Sequence, residues 1–187
     1  RQDVKVASQR KKLTVFFSDI EHFTETTESL ESEDLTNLLN HYLTEMSKIA
    51  LAHGATIDKY VGDAMMMFFG DPESRGVRQD ALTCVQMAIA MQQRMAELQI
   101  EWLDLGLERP FRMRIGINTG YCTVGNFGCD ERMDYTIIGN EVNLAARVQA
   151  HAEPGGILLA HGTHALVKNE IEAEQQDAIR LKGLRDP

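Results

Sequence analysis

The sequence predicts an α+β domain: a ferredoxin-like βαββαβ core, a C-terminal extension, and a sheet covered by helices on one face. Three observations predict it. Short apolar runs read as strands at Leu13–Asp19, Thr56–Phe69 and Arg112–Phe127. Two long stretches with helical spacing separate them, Ser32–Gly54 and Gln79–Trp102. The middle run splits at Gly62-Asp63, a pair that reads as a tight hairpin turn of type II′.

The elements follow in order. Arg1–Lys12 is polar and basic and reads as a linker (1–12) from an upstream region, leaving 13–187 as one domain. Leu13–Asp19 is the first buried strand. Ser32 is placed to cap the first long helix, with Glu33 and Asp34 at its positive end. Leu35, Leu38, Leu39, Tyr42, Leu43, Met46, Ile49 and Ala50 then line one face, and Gly54 stops it. In the second helix Val85, Ala88, Met91, Met95 and Leu98 form the apolar face. Arg112–Ile115 alternates as a half-buried strand. Thr119-Gly120 is expected to turn it into Tyr121–Phe127. Asn140–Ala150 reads as a short helix, Ile157–Ala160 as a strand, and Ile171–Lys182 as a last extended segment.

The 187 residues are 43% hydrophobic and 25% charged, the balance of a globular domain with a sizeable core. A net charge of −9 argues against nucleic acid and membrane surfaces as partners, and no apolar run reaches spanning length. Cys84, Cys122 and Cys129 lack zinc-type spacing and read as reduced thiols, hence a cytoplasmic location. The chain opens on Arg1 and stops at Pro187, as an excised domain would. The six histidines show no zinc pattern. The glycines between 120 and 128 are not followed by the Gly-Lys-Ser/Thr of a phosphate loop.

Two constellations carry chemistry. Asp19 ends the first strand, and Asp63 sits at the hairpin tip. If those strand ends are neighbours, the carboxylates converge as a hard divalent cation needs. Either alone reads equally well as a turn cap. Ile20-Glu21-His22-Phe23-Thr24 leads into a helix, with backbone N–H groups free for phosphate. The second constellation is Asn143 and Arg147, four apart and on one helical face. An amide beside a guanidinium suits a ribose and a phosphoryl group. In isolation the pair reads as a solvated surface.

Four segments then resemble the class III nucleotidyl cyclases: Phe16–Ile20 with Phe23-Thr24, Lys59–Asp63, Gly116–Gly120, and Ile138-Gly139 through Asn143 to Arg147. They run in the family's order over nearly the whole chain. The likeness is greatest to bacterial and cyanobacterial adenylyl cyclases similar to mammalian soluble adenylyl cyclase. The resemblance implies that Asp19, Asp63 and the Ile20 carbonyl bind two Mg²⁺ (or Mn²⁺) per site. It implies that Lys59 and Thr136 read adenine, with Phe23 and Thr24 also at the substrate. Asn143 would orient the ribose, Arg147 would stabilise the phosphoryl transition state, and Lys182 would hold the terminal phosphates. It further implies a head-to-tail homodimer with two shared sites, upstream regulatory domains in the same chain, and ATP as substrate. Thr136 stands where many adenylyl cyclases carry Asp, as in the subgroup that responds to bicarbonate or CO₂. A hydroxyl can accept from the adenine amino group while donating elsewhere.

Three rivals are expected to look different. A guanylyl cyclase would carry Glu and Cys in place of Lys59 and Thr136. An inactive dimerising module would have lost an Asp, the Asn or the Arg. A diguanylate cyclase would show Gly-Gly-Asp/Glu-Glu-Phe at the hairpin.

Overall fold

The computed structural model describes residues 8–28 and 30–176. Its elements run β1 (Gln9–Ile20), α1 (Phe23–Glu28), α2 (Ser32–Ala52), β2 (Thr56–Val61), β3 (Ala64–Phe69), α3 (Val77–Asp104), β4 (Met113–Cys129), β5 (Arg132–Ile138), α4 (Asn140–Ala150), β6 (Ile157–Leu159) and α5 (His161–Val167). The sheet order is β2-β3-β1-β4-β5, antiparallel throughout, with β6 added parallel to β4. Strands β2-β3-β1-β4 are the ferredoxin-like core that the element order predicts.

Alternation along the strands sorts the side chains onto two faces. One face of β1, β3 and β4 presents Phe16, Ile20, Met65, Met67, Phe69, Met113, Ile115 and Ile117 to α2 and α3. These helices return Tyr42, Met46, Met87, Met91, Met95 and the fully buried Trp102. Each such side chain contributes about 1.5–3 kcal/mol of burial. The other face presents Leu13, Val15, Met66, Phe68, Cys122 and Val124 to Val142 and Ala145 of α4. Helices therefore cover both faces, not one.

Several boundaries depart from the sequence reading, each for a reason outside local pattern. β1 begins at Gln9, not Leu13, because Gln9–Lys12 pair with Val124–Tyr121. The expected linker thus ends in a strand. Ser32 is the first helical residue of α2; Glu31 is the N-cap, and no side chain caps it. Gly54 takes φ +79° just past the C-cap His53, as a helix stop requires. Thr119-Gly120 is no turn: β4 runs unbroken for 17 residues because Thr119 and Gly120 face Thr14 and Leu13 across the ladder. The chain reverses after Cys129 instead. At Gly116 a Cβ would lie 2.2 Å from the backbone nitrogen of Gln149, and at Gly120 it would lie 2.5 Å from the Glu141 side chain. Both glycines let α4 sit against the strand. Residues 171–176 carry no strand, and the rest of the expected last segment lies outside the described residues.

Candidate active site

Asp19, Ile20 and Asp63 meet where the β2–β3 hairpin tip reaches the end of β1. The turn is the two residues Gly62-Asp63, with Val61 opposite Ala64. Gly62 has φ +60° and Asp63 does not share the positive φ, as a type II′ turn requires. An Asp63 carboxylate oxygen accepts the Ile20 N–H at 2.8 Å. Burial pushes the Asp63 carboxyl above the usual range; the Ile20 N–H opposes that, and the Asp19 charge adds to it. Behind them Tyr42 is fully buried. Burial holds its phenol far above its ordinary value, so it stays a neutral hydroxyl.

Arg114, unanticipated from the sequence, faces Asp19 across the β1–β4 ladder. Its Nε and Nη2 donate to the two Asp19 oxygens at 2.9 and 2.6 Å. Its Nη1 donates to the Ala150 carbonyl at the end of α4, at 3.3 Å. The alternating pattern around Arg114 was visible, but the register that aims it at Asp19 was not.

This donor set fits a divalent cation. Two carboxylates converge, one is disfavoured in its charged form, and a guanidinium compensates the other. Among the described residues no three His, Cys, Asp or Glu side chains gather to hold a metal. Two carboxylates suffice for Mg²⁺ when substrate phosphates complete the shell.

Lys59 and Thr136 come together from strands at opposite ends of the sheet order. Four strand spacings in a flat sheet are about 19 Å. Yet the Thr136 hydroxyl donates directly to Asp58, so the sheet curls until its edges meet. Asp58 also lies 3.8 Å from the Lys59 ammonium. A second link holds the curl: buried Asp71, after β3, accepts from Tyr135 of β5 and from Lys11 of β1. That hydrogen bond pushes the Tyr135 phenol up to about 12. Asp58 was also missed. A carboxylate inside an apolar strand run was the available signal.

Asn143 and Arg147 lie one turn apart on α4, Asn143 exposed and Arg147 half-buried. The helix start is fixed by Asn118, whose Nδ2 donates to the Glu141 carbonyl at 2.9 Å and to Glu141 Oε2 at 2.7 Å. Phe23 is committed to packing, its ring 6.0 Å from that of Phe111, while Thr24 is exposed beside it. Lys182 lies outside the described residues. Cys84 and Cys122 are buried free thiols and Cys129 an exposed one. No described helix is long and apolar enough to cross a membrane.

The described residues thus form a curled, largely antiparallel sheet with paired carboxylates at one strand end and the helix carrying Asn143 and Arg147 on its thinner face. Residues 5–187 match the model of the adenylate and guanylate cyclase catalytic domain, and the chain belongs to that family, the class III nucleotidyl cyclases. It is similar to adenylate cyclase 1 of Rhizobium meliloti, 30% identical over 95% of this chain and 25% of that protein. Adenylate cyclase of Anabaena cylindrica is 32% identical over 94% of this chain and 34% of that one. The chain thus spans about a quarter and about a third of these relatives. Among solved structures, the adenylyl cyclase CyaB from P. aeruginosa is 56% identical, with TM-score 0.95 over 97% of this chain and 93% of that one. The guanylyl cyclase Cya2 is 34% identical, with TM-score 0.90 over 96% and 90%.

Proposed function

We propose that this domain is an adenylyl cyclase that converts ATP to 3′,5′-cyclic AMP and pyrophosphate at sites shared between two copies of the chain. The observation that carries the choice of ATP is the meeting of Lys59 and Thr136 at one point. An ammonium is a donor only and suits adenine N1, an acceptor. Guanine carries a proton there. A hydroxyl whose own proton is engaged offers lone pairs to the adenine 6-amino group.

Asp19, Asp63 and the Ile20 carbonyl would hold the divalent cations. There the cations would supply Lewis acidity toward the ribose 3′-hydroxyl and countercharge for the triphosphate. Arg114 donates to both Asp19 oxygens and so holds that carboxylate at the strand end, where its guanidinium would also lie near a phosphate. Asn143 positions the ribose for in-line attack on the α-phosphate, and Arg147 faces the charge that develops there. A shared site is supported by apolar side chains left exposed on the edge strands and the β4–β5 hairpin: Tyr60, Val61, Tyr121, Met133, Tyr135 and Ile138. In a two-fold dimer they would give each site carboxylates from one chain and the Asn/Arg helix from the other.

The test is purified protein with Mg²⁺ or Mn²⁺ and ATP or GTP, with the cyclic nucleotide identified. Strong preference for ATP is expected. Comparable kcat/KM for GTP refutes the assignment.

A further inference from the structure

We infer that Asp58 is the positioning residue that sets base choice, by holding the Thr136 hydroxyl as an acceptor toward the purine. The inference rests on the ATP reading and adds to it the group that enforces it.

The backbone puts Asp58 there on purpose-built geometry. Ile57 pairs with Met67 and Lys59 with Met66, so Asp58 is the extra residue of a β-bulge. A bulge re-aims a side chain and leaves it free of the ladder's alternation. That is how neighbours in sequence, Asp58 and Lys59, both serve one site. The Asp58 side chain is 4% exposed and Thr136 8%. Buried this far, the carboxylate needs donors. It has the Thr136 hydroxyl on one oxygen and the Lys59 ammonium 3.8 Å from the other.

A hydroxyl has one proton and two lone pairs. A carboxylate only accepts, so the Thr136 proton points at Asp58. What Thr136 shows a ligand is then lone pairs. These receive the adenine 6-amino group and repel the 6-oxo group of guanine or hypoxanthine. Threonine alone would not discriminate, since a free hydroxyl turns to suit either. Asp58 removes the ambivalence, and its charge keeps the Lys59 ammonium beside it as the second, donor-only contact.

Inosine triphosphate isolates this edge: it differs from ATP in the 6-oxo group and the N1 proton. Wild type is expected to favour ATP strongly in kcat/KM. In Asp58→Asn the amide oxygen turns to Lys59 and the NH₂ to Thr136, which must then accept and frees its own proton. The ATP:ITP ratio should fall by about tenfold, within the range one mismatched polar contact spans. Asp58→Ala, which removes the acceptor outright, carries the same expectation and serves if the first variant does not fold. In a Thr136→Val background, Asp58→Asn should move the ratio no further. A general loss of structure lowers both substrates together and leaves the ratio alone. An unchanged ratio in folded Asp58 variants overturns the inference and leaves the ATP reading intact, as does an equal drop with Val at 136. Wild type without ATP preference overturns both.

Discussion

The two faces of the sheet were built to different specifications. Among the described residues, the α2/α3 face buries 23 core side chains, many of them large. The α4 face buries nine. On the first face packing is deep, and polar side chains such as Gln92, which donates to the Met113 and Gly156 carbonyls, bind the helix to the strand ends. On the second a thin apolar layer is interrupted by Gly116 and Gly120, by the Asp19–Arg114 pair, and by Asn118 bonded to Glu141. The thick face supplies stability, so the thin one can spend its surface on charged and polar groups that do not stabilise. Substitutions on the two faces should therefore fail in different ways.

The largest effect is expected at the thin face's reactive groups. Asp19→Ala and Arg147→Ala should each lower kcat by about 10³-fold or more. If sites are shared, mixing the two inactive proteins restores roughly a quarter of wild-type activity: half the dimers are mixed, and each has one intact site. Asp19→Ala with Asp63→Ala should recover nothing. A first mixture that stays dead while chains exchange places the whole site in one chain; a second that revives shows that Asp19 and Asp63 of one site come from different chains, and either result overturns the arrangement.

The next contrast sets the faces against each other. Gly116→Ala drives a methyl into the α4 backbone and shifts the helix that carries Asn143 and Arg147. A displacement near 1 Å should cost about 100-fold in activity. Trp102→Ala on the thick face should cost about 3–5 kcal/mol of stability. It should leave kcat/KM of the folded fraction nearly unchanged. Urea titration alongside the assay separates the two, and the comparison breaks if both variants lose the same property.

Base choice comes third. Lys59→Glu with Thr136→Cys should erode the ATP preference by about tenfold or more, read as the ATP:GTP ratio of kcat/KM.

Stability of the carboxylate pair gives a smaller effect with a defined sign. Asp63 has its carboxyl held above the ordinary aspartate range. Between that range and its raised value the folded chain keeps a proton that the unfolded chain has lost. This group's contribution to stability therefore falls as pH rises through the window. Metal-free Asp63→Asn should melt above wild type at pH 7, and the gap should close below the ordinary aspartate range. Mg²⁺ should raise the Tm of wild type only. Equal melting at pH 7 would show that the pair is not strained.

The smallest expected effect is a rise in activity with bicarbonate at fixed pH and ionic strength, against chloride as control. It requires an anion that binds the active arrangement better than the inactive one. A flat response removes it.

What was legible in the sequence was local. The hairpin at Gly62-Asp63, the helical spacing of α2 and α3, and the four-residue step from Asn143 to Arg147 are each written within a few residues. What depends on pairing was not. Arg114 matters because β1 and β4 are in one register, and nothing near Arg114 states that register. Gly120 looked like a turn because a glycine's use against a distant Glu141 is invisible locally. Lys11 looked like linker because its partner, Asp71, is 60 residues away.

The bulge at Asp58 has a consequence for how such a domain changes over time. Lys59, Tyr60 and Val61 pair with Met66, Met65 and Ala64, and Ile57 pairs with Met67, so Asp58 has no partner of its own in the ladder. Removing one codon at position 58 would close the ladder and delete the carboxylate in the same event. Inserting an Asp codon there would restore both. If Asp58 sets base choice as inferred above, a single-codon deletion in an edge strand would remove that preference without a substitution anywhere in the core.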